Sequence, residues 1–314
     1  MKILEVRDLA ISFEEKIAVD KINFDLSAGE IVGLVGESGC GKSLTAFSIL
    51  GINPPGSNLS GEIIYNGKDL LKMDRDSRRK IRGNKISLIP QDPMSALNPV
   101  FTVGEQISEI LEVHKDMKKK EALSTSIKVL ESVNIPNAEE RINDYPHQFS
   151  GGMRQRVLIA MGLVAEPDIL IADEPTTALD VTIQLQILEI LKDLRKNGKA
   201  ILLITHDLAV VSEVCDRVYV MYLGRIVESA STKEIFSNPK HPYTIGLLNS
   251  LPDESKSSLI PISGQPPSIN SIPSGCSFHT RCPKVFDRCK TEEPGLYTLK
   301  DSDKHMSRCF LECE

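Results

Sequence analysis

With 314 residues, 41% of them hydrophobic and 25% charged, the chain has room for one large or two modest globular domains and is neither disordered nor fibrous. A net charge of −6 without a broad basic stripe argues against nucleic acid as a main partner. Lys118-Lys119-Lys120 is a short charge run of the kind a solvated helix face carries. The opening Met1-Lys2-Ile3-Leu4-Glu5 has no signal-peptide character, and no apolar run reaches the roughly 18 residues that span a membrane. Together these predict a cytosolic protein, or one docked on the cytosolic face of something that spans.

In chain order, residues 3–13 and 22–27 alternate apolar and polar and predict strands of an N-terminal antiparallel sheet. Ile31-Val32-Gly33-Leu34-Val35 predicts a buried strand, and Leu44 to Leu50 a helix. Gly61 to Gly67 predicts a strand ending in an Asn-Gly turn, and Ile86 to Ile89 a short strand stopped by Pro90-Gln91-Asp92-Pro93. From Val103 to about Asn134 the apolar spacing turns helical, which marks a helical insertion. Ser150-Gly151-Gly152 opens another helix, running to about Ala165. A buried strand over 168–172, a helix over about 181–197, a strand over 200–205, a short helix from Asp207 and strands near 218–221 and 225–228 follow. This alternation predicts a largely parallel sheet covered on both faces. His241 to Leu251 suits one more helix, and Pro252 to Pro273, rich in Pro and Ser, an extended linker.

Between the buried strand and its helix stands Gly36-Glu37-Ser38-Gly39-Cys40-Gly41-Lys42-Ser43, a complete G-x-x-x-x-G-K-[ST] string in strand–turn–helix context. Glycines there let backbone N–H groups face phosphate oxygens, and the helix dipole adds positive potential. Lys42 is placed for the β/γ-phosphates and Ser43 for Mg²⁺. Hydrolysis needs a second metal contact and a base, and the apolar strand ending in Asp173-Glu174 offers both. His206 closes the third apolar strand as a candidate γ-phosphate sensor, although a lone His there is more often a satisfied polar group. Gln91, also at a strand end, has the groups to bridge metal and water but says nothing alone. Phe13 suits either an adenine stack or the core. Ser150-Gly151-Gly152 forms a second anion site, or an ordinary N-cap; two such sites in one chain suggest that two chains share nucleotides.

Together these residues resemble the ATP-binding subunits of ABC transporters, over about residues 1–250. The resemblance implies an α/β P-loop fold with a RecA-like core, an N-terminal antiparallel β subdomain and a helical subdomain at about 92–160. It places an ATP-binding domain at 1–240 and a small Cys-rich extension at 241–314. It implies that Phe13 is the A-loop aromatic, that Gly36, Ser38, Gly39, Cys40, Gly41, Lys42, Ser43, Leu44 and Asp173 bind ATP, and that Ser43, Gln91 and Asp173 hold Mg²⁺. Glu174, His206 and Gln91 become the catalytic set, Ala178-Leu179-Asp180 the D-loop, and Ser150, Gly151 and Gly152 a signature acting on the other subunit's ATP. Met153 and Phe149 depart from the usual signature, which has Gln and Leu there, while the phosphate-facing Ser and Gly are intact.

Gln91 to Pro99, Ser150 to Arg156, His241-Pro242-Tyr243-Thr244 and Gly275-Cys276-x-Phe278-x-x-Arg281-Cys282-Pro283 further resemble bacterial dipeptide/oligopeptide importers. The resemblance implies a peripheral subunit on the cytoplasmic face of the membrane, a second and paralogous ATPase, two integral membrane permeases, an extracellular solute-binding protein, and no nucleic acid. Nickel importers share much of this pattern. A soluble ABC ATPase would carry a coiled coil or two cassettes, and a redox or metal sensor would not need the complete hydrolytic set.

Five of the seven cysteines crowd the last 39 residues. Cys276, Cys282, Cys289 and Cys309 are separated by five, six and nineteen residues, with Cys313 left over. A reducing cytosol disfavours disulfides, and zinc usually wants a tighter C-x₂₋₄-C knuckle, although His279 and His305 are near. The loose spacing suits a [4Fe–4S] cluster, with zinc and plain thiols as the alternatives. The family resemblance implies the cluster too.

Overall fold

The computed structural model describes residues 1–177, 179–251, 262–300 and 302–312. The alternating N-terminal residues form β1 (Lys2–Phe13) and β2 (Lys16–Ser27), and the apolar run forms β3 (Ile31–Val35), buried throughout. After the glycine-rich turn come α1 (Lys42–Leu50) and β4 (Ser57–Tyr65). Asn66 and Gly67 are both left-handed (φ 47° and 77°), which turns the chain tightly into β5 (Lys68–Asp69). Then follow α2 (Arg75–Ile81), β6 (Ile86–Ile89), α3 (Pro93–Ala96), α4 (Val103–Lys115), α5 (Lys119–Ser132), α6 (Ala138–Arg141) and α7 (Gly151–Leu163). β7 (Ile169–Asp173), α8 (Val181–Lys196), β8 (Ala200–Thr205) and α9 (Leu208–Val214) lead to β9 (Arg217–Tyr222) and β10 (Arg225–Ser231). The C-terminal part adds α10 (Thr232–Ser237), α11 (Pro242–Asn249), α12 (Asp287–Thr291), β11 (Tyr297–Leu299) and β12 (Ser302–Ser307).

The chain divides into two compact units. The first (Met1–Leu26, Ile31–Leu71 and Ile204–Glu314) holds the expected N-terminal sheet, in the order β2-β1-β4-β5, and the strands β11-β12-β10-β9-β3. β3 runs parallel to β9, with Leu34 opposite Tyr219, whereas β10 and β12 run antiparallel. The switch follows from the turn at Leu223-Gly224 (φ 42° and 79°), whose twist folds β10 straight back along β9. The cysteine-bearing tail thus gains packing from residues far upstream. Phe278 lies against Tyr222 and Tyr243, at centroid distances of 5.2 and 5.4 Å, and all three are buried.

The expected linker is only partly described, since residues 252–261 lie outside the described residues. From 262 onward it is no free spacer. It makes a 3₁₀ turn at Ile269–Ser271, and Arg281 binds its Ser263 and Gly264 carbonyls.

The second unit (Ser27–Glu30 and Lys72–Leu203) contains the strands β8-β7-β6, with β6 parallel to β7 and Ile86 opposite Ile169. Its helical insertion is α4 and α5. α4 starts on a capping box in which Thr102 and Glu105 satisfy each other's backbone N–H groups. α8 buries Ile187, Leu188 and Leu191 on one face, as its 3.6-residue spacing predicts.

Candidate functional site

In the first unit the loop after β3 has the backbone of a phosphate cradle. Gly36 comes so close to β9 that a Cβ there would sit 2.1 Å from the Met221 carbonyl oxygen. Gly41, at φ 106°, takes a left-handed conformation as the N-cap of α1. Lys42 is 5% exposed, and its ammonium donates to the carbonyls of Gly36 (2.7 Å) and Glu37 (3.0 Å). The Cys40 thiol lies 3.8 Å from that ammonium, and burial pushes its pKa up despite the nearby charge. Ser43 follows at the start of α1, half-buried. Ser38, Gly39 and Leu44 line a cavity of about 510 Å³ together with Phe13. His206, exposed just after β8, belongs to this unit as well.

In the second unit Asp173 ends β7 and is 4% exposed. Glu174 follows in a left-handed conformation (φ 48°), which is unusual for a carboxylate residue and turns the chain sharply off the strand. Its Oε2 accepts hydrogen bonds from Gln91 Nε2 (2.8 Å) and Thr177 Oγ1 (2.9 Å). The structure therefore brings Gln91 and Glu174 together across 83 residues of sequence. Thr177 was not anticipated; its only sequence signal is a hydroxyl three residues after the acid. Ser150 caps α7, its Oγ accepting from the Met153 N–H at 3.3 Å. A Cβ at Gly151 would meet nothing within 4 Å, whereas one at Gly152 would press on Ile183 at 2.9 Å. Phe149 is buried beneath the Arg141 guanidinium. Asp180 caps α8 by accepting from the Ile183 N–H at 2.9 Å, while Ala178 lies outside the described residues.

Back in the first unit, Cys276, Cys282, Cys289 and Cys309 all line one pocket with Phe278, Phe286 and Phe310. None of the four is in a disulfide. Burial pushes the Cys276 and Cys282 thiols up and Cys309 to about 12, so as free thiols they stay protonated. Among the described residues no group of three or more His, Cys, Asp or Glu side chains is arranged to hold a metal ion. His279 instead turns its Nδ1 to the Cys276 carbonyl at 2.9 Å. His305 pairs with Glu228 at 2.8 Å, both side chains fully buried. Cys313 lies outside the described residues.

One connection in this unit has no sequence signal. Glu37 in the cradle receives both terminal nitrogens of Arg281 (2.7 and 2.9 Å), and its backbone N–H donates to the Tyr243 hydroxyl at 2.9 Å. Arg281 also lies over the Tyr222 ring, 5.9 Å from its centroid.

Comparison with known proteins places this geometry in a family. Residues 19–177 match the family described as ABC transporter, and residues 227–289 match the oligopeptide/dipeptide transporter C-terminal region. The chain is 50% identical to the oligopeptide transport ATP-binding protein AppD and 51% identical to the dipeptide transport ATP-binding protein DppD, both of Bacillus subtilis (strain 168). These matches cover 98% and 99% of this chain and 96% and 95% of those proteins. Identity to the oligopeptide transport ATP-binding protein OppD of Escherichia coli (strain K12) is 46%, over 93% of this chain and 89% of that one. Among solved structures, cbiO1 from Clostridium perfringens, part of an ABC transporter complex, superposes with a TM-score of 0.66 at 30% identity, covering 76% of this chain and 91% of its own. A post-hydrolysis dimeric ATP-binding cassette bound to ADP and Pi gives 0.65 at 28% identity, covering 73% of this chain and 98% of its own. Among the described residues no helix is long and apolar enough to cross a membrane. The chain is an ABC-type ATPase, and it belongs to the oligopeptide and dipeptide transport ATP-binding proteins.

Proposed function

We propose that this chain is the ATP-hydrolysing subunit that powers import of dipeptides or oligopeptides through an ABC transporter. Identity near one half, along the whole chain, to proteins of that description supports the solute class. The observation that carries the hydrolytic reading is Glu174, turned sharply off the strand that ends in Asp173 and held by Gln91 and Thr177.

In this reading the cradle binds the phosphates of ATP. Lys42 exchanges its carbonyl partners for phosphate oxygens. Ser43, Asp173 and Gln91 hold Mg²⁺, which neutralises charge on the transferred phosphoryl group. Glu174 orients and deprotonates the attacking water, His206 contacts the γ-phosphate, and Phe13 stacks on the base. Ser150, Gly151 and Gly152 act on the nucleotide of a second ATPase subunit, a paralogue, with Asp180 close by in the same interface. Two permeases and a solute-binding protein complete the system, with this chain on the cytoplasmic face. The helical region after Gln91 is the surface for a permease helix, and the exposure of Met94, Val100 and Phe101, between Gln91 and α4, supports it.

Gly151→Asp tests the shared site and the coupling together. The new side chain enters open space, so the fold is kept, and its carboxylate repels the partner's γ-phosphate in a closed interface. The isolated variant should bind ATP as the wild type does, while ATP hydrolysis and peptide uptake by the reconstituted transporter fall to background. Loss of ATP affinity in the isolated chain would show that the signature acts within its own subunit.

We also propose that Cys276, Cys282, Cys289 and Cys309 hold a [4Fe–4S] cluster with a structural or redox-sensing role. Four thiols that line one pocket support this reading, since such a cluster is held by four Cys thiolates. Anaerobically purified protein should be brown, with about four irons per chain and broad absorbance near ~400 nm. Colourless protein with one zinc and no iron would refute the cluster and leave the ATPase untouched.

A further inference from the structure

The cavity that opens onto the cradle has two walls, and only one of them belongs to the ATP-binding cassette. Phe13 and Ile17 form the first, at the turn between β1 and β2. Pro267, Ile269 and Ile272 of the C-terminal extension form the second. The volume of about 510 Å³ falls in the range of small-molecule pockets. Ile17, Ile269 and Ile272 are 47%, 40% and 39% exposed, apolar side chains turned towards a space that holds no protein.

The second wall is fixed in place. Arg281 Nε donates to the Ser263 carbonyl (3.0 Å) and Nη2 to that of Gly264 (3.2 Å), while Nη1 and Nη2 grip the Glu37 carboxylate. One guanidinium therefore ties the residues just before the wall segment to Glu37 of the cradle. The Arg281 side chain is 5% exposed and that of Glu37 27%, so the fork is partly shielded from competing water.

We propose that residues 266–272 form the second wall of the nucleotide-base slot, enclosing a purine ring against Phe13, and that Arg281 is the positioning residue that sets this wall relative to the phosphates. The inference rests on the reading of the cradle as the ATP site. The wall presents prolines and isoleucines, which contact the face of a ring, and its polar lining residue, Ser268, has its hydroxyl paired with that of Ser271 at 3.0 Å. It therefore contributes affinity for any purine nucleoside triphosphate and little choice between adenine and guanine.

Calorimetric titration of the full chain with ATP, GTP and inorganic tripolyphosphate, each with Mg²⁺, separates the contributions. In the double variant Ile269→Ala, Ile272→Ala, ATP and GTP affinity should each fall about 10-fold, equivalent to about 1.4 kcal/mol, with tripolyphosphate unchanged within about twofold. Both side chains are surface-exposed, so an unchanged melting temperature is expected alongside. Arg281→Lys keeps the charge but loses the fork, and should lower the ratio of ATP to tripolyphosphate affinity in the same direction. Equal losses for all three ligands, or no loss, would overturn the wall. Lys42→Ala serves as the reference and should weaken all three. If it weakens none, the assignment of the cradle fails and takes this inference with it.

Discussion

Glu174→Gln should lower steady-state ATP turnover by the assembled transporter at least ~100-fold, as loss of a general base does, while leaving ATP binding intact. The amide keeps the side chain's shape and an oxygen able to accept from both Gln91 and Thr177, so the local geometry survives. What disappears is the negative charge that orients and deprotonates water. Because ATP binds but is not cleaved, the variant should also accumulate in a closed pair with the paralogous ATPase subunit, visible as ATP-dependent co-elution of the two purified chains on size exclusion. Turnover near the wild-type rate would remove Glu174 from the catalytic role and direct attention to another base.

The largest effect on stability is expected at Glu228, which is fully buried. Its carboxylate accepts from the backbone N–H groups of Lys240 (2.7 Å) and His241 (2.8 Å) and pairs with His305 Nε2 (2.8 Å). It thus ties β10 at once to the start of α11 and to β12. Glu228→Ala leaves these buried groups without their acceptor and should cost about 3–5 kcal/mol, the range for breaking a buried pair by removing one partner. Denaturant titration at neutral pH measures it, and a loss below about 1 kcal/mol, typical of a surface position, would refute this account. Acid should weaken the same corner. Burial lowers His241 to about 4, and the neighbouring Glu228 carboxylate only partly opposes this. His241 accordingly stays neutral and accepts from the Tyr243 N–H through Nδ1. Since its pKa is lower folded than unfolded, its contribution is present above about 6.5 and is lost as pH falls towards 4.

The cradle and the acidic strand end were legible because their chemistry is local. Gly36 to Ser43 and Ile169 to Glu174 each combine an apolar strand with a specific turn in a few consecutive residues. The Asn66-Gly67 turn and the Ser150 cap were readable for the same reason. Arg281 stands in a family-like string, and nothing in the sequence points to Glu37, 244 residues away, as its partner. β12 was missed because Ser302–Ser307 is polar and shows no alternation. It is a strand because β10 offers it an edge, placing Ser307 opposite Glu228. Proline and serine content in 262–273 suggested a spacer, but composition does not reveal that a distant guanidinium will fasten it.

The pairing of β10 with β12 also sets an order of events during synthesis. A ribosome adding about 5–20 residues per second takes roughly 4–14 s to extend the chain from Ser231 to Ser302. Through that interval the outer edge of β10 has no strand to pair with, the kind of exposed ladder that recruits foreign strands. Glu228 sits on that edge and lacks His305 until a further 77 residues have been added. Its uncompensated charge deters mispairing in the nascent chain, and the same carboxylate becomes an anchor once its own partner strand emerges.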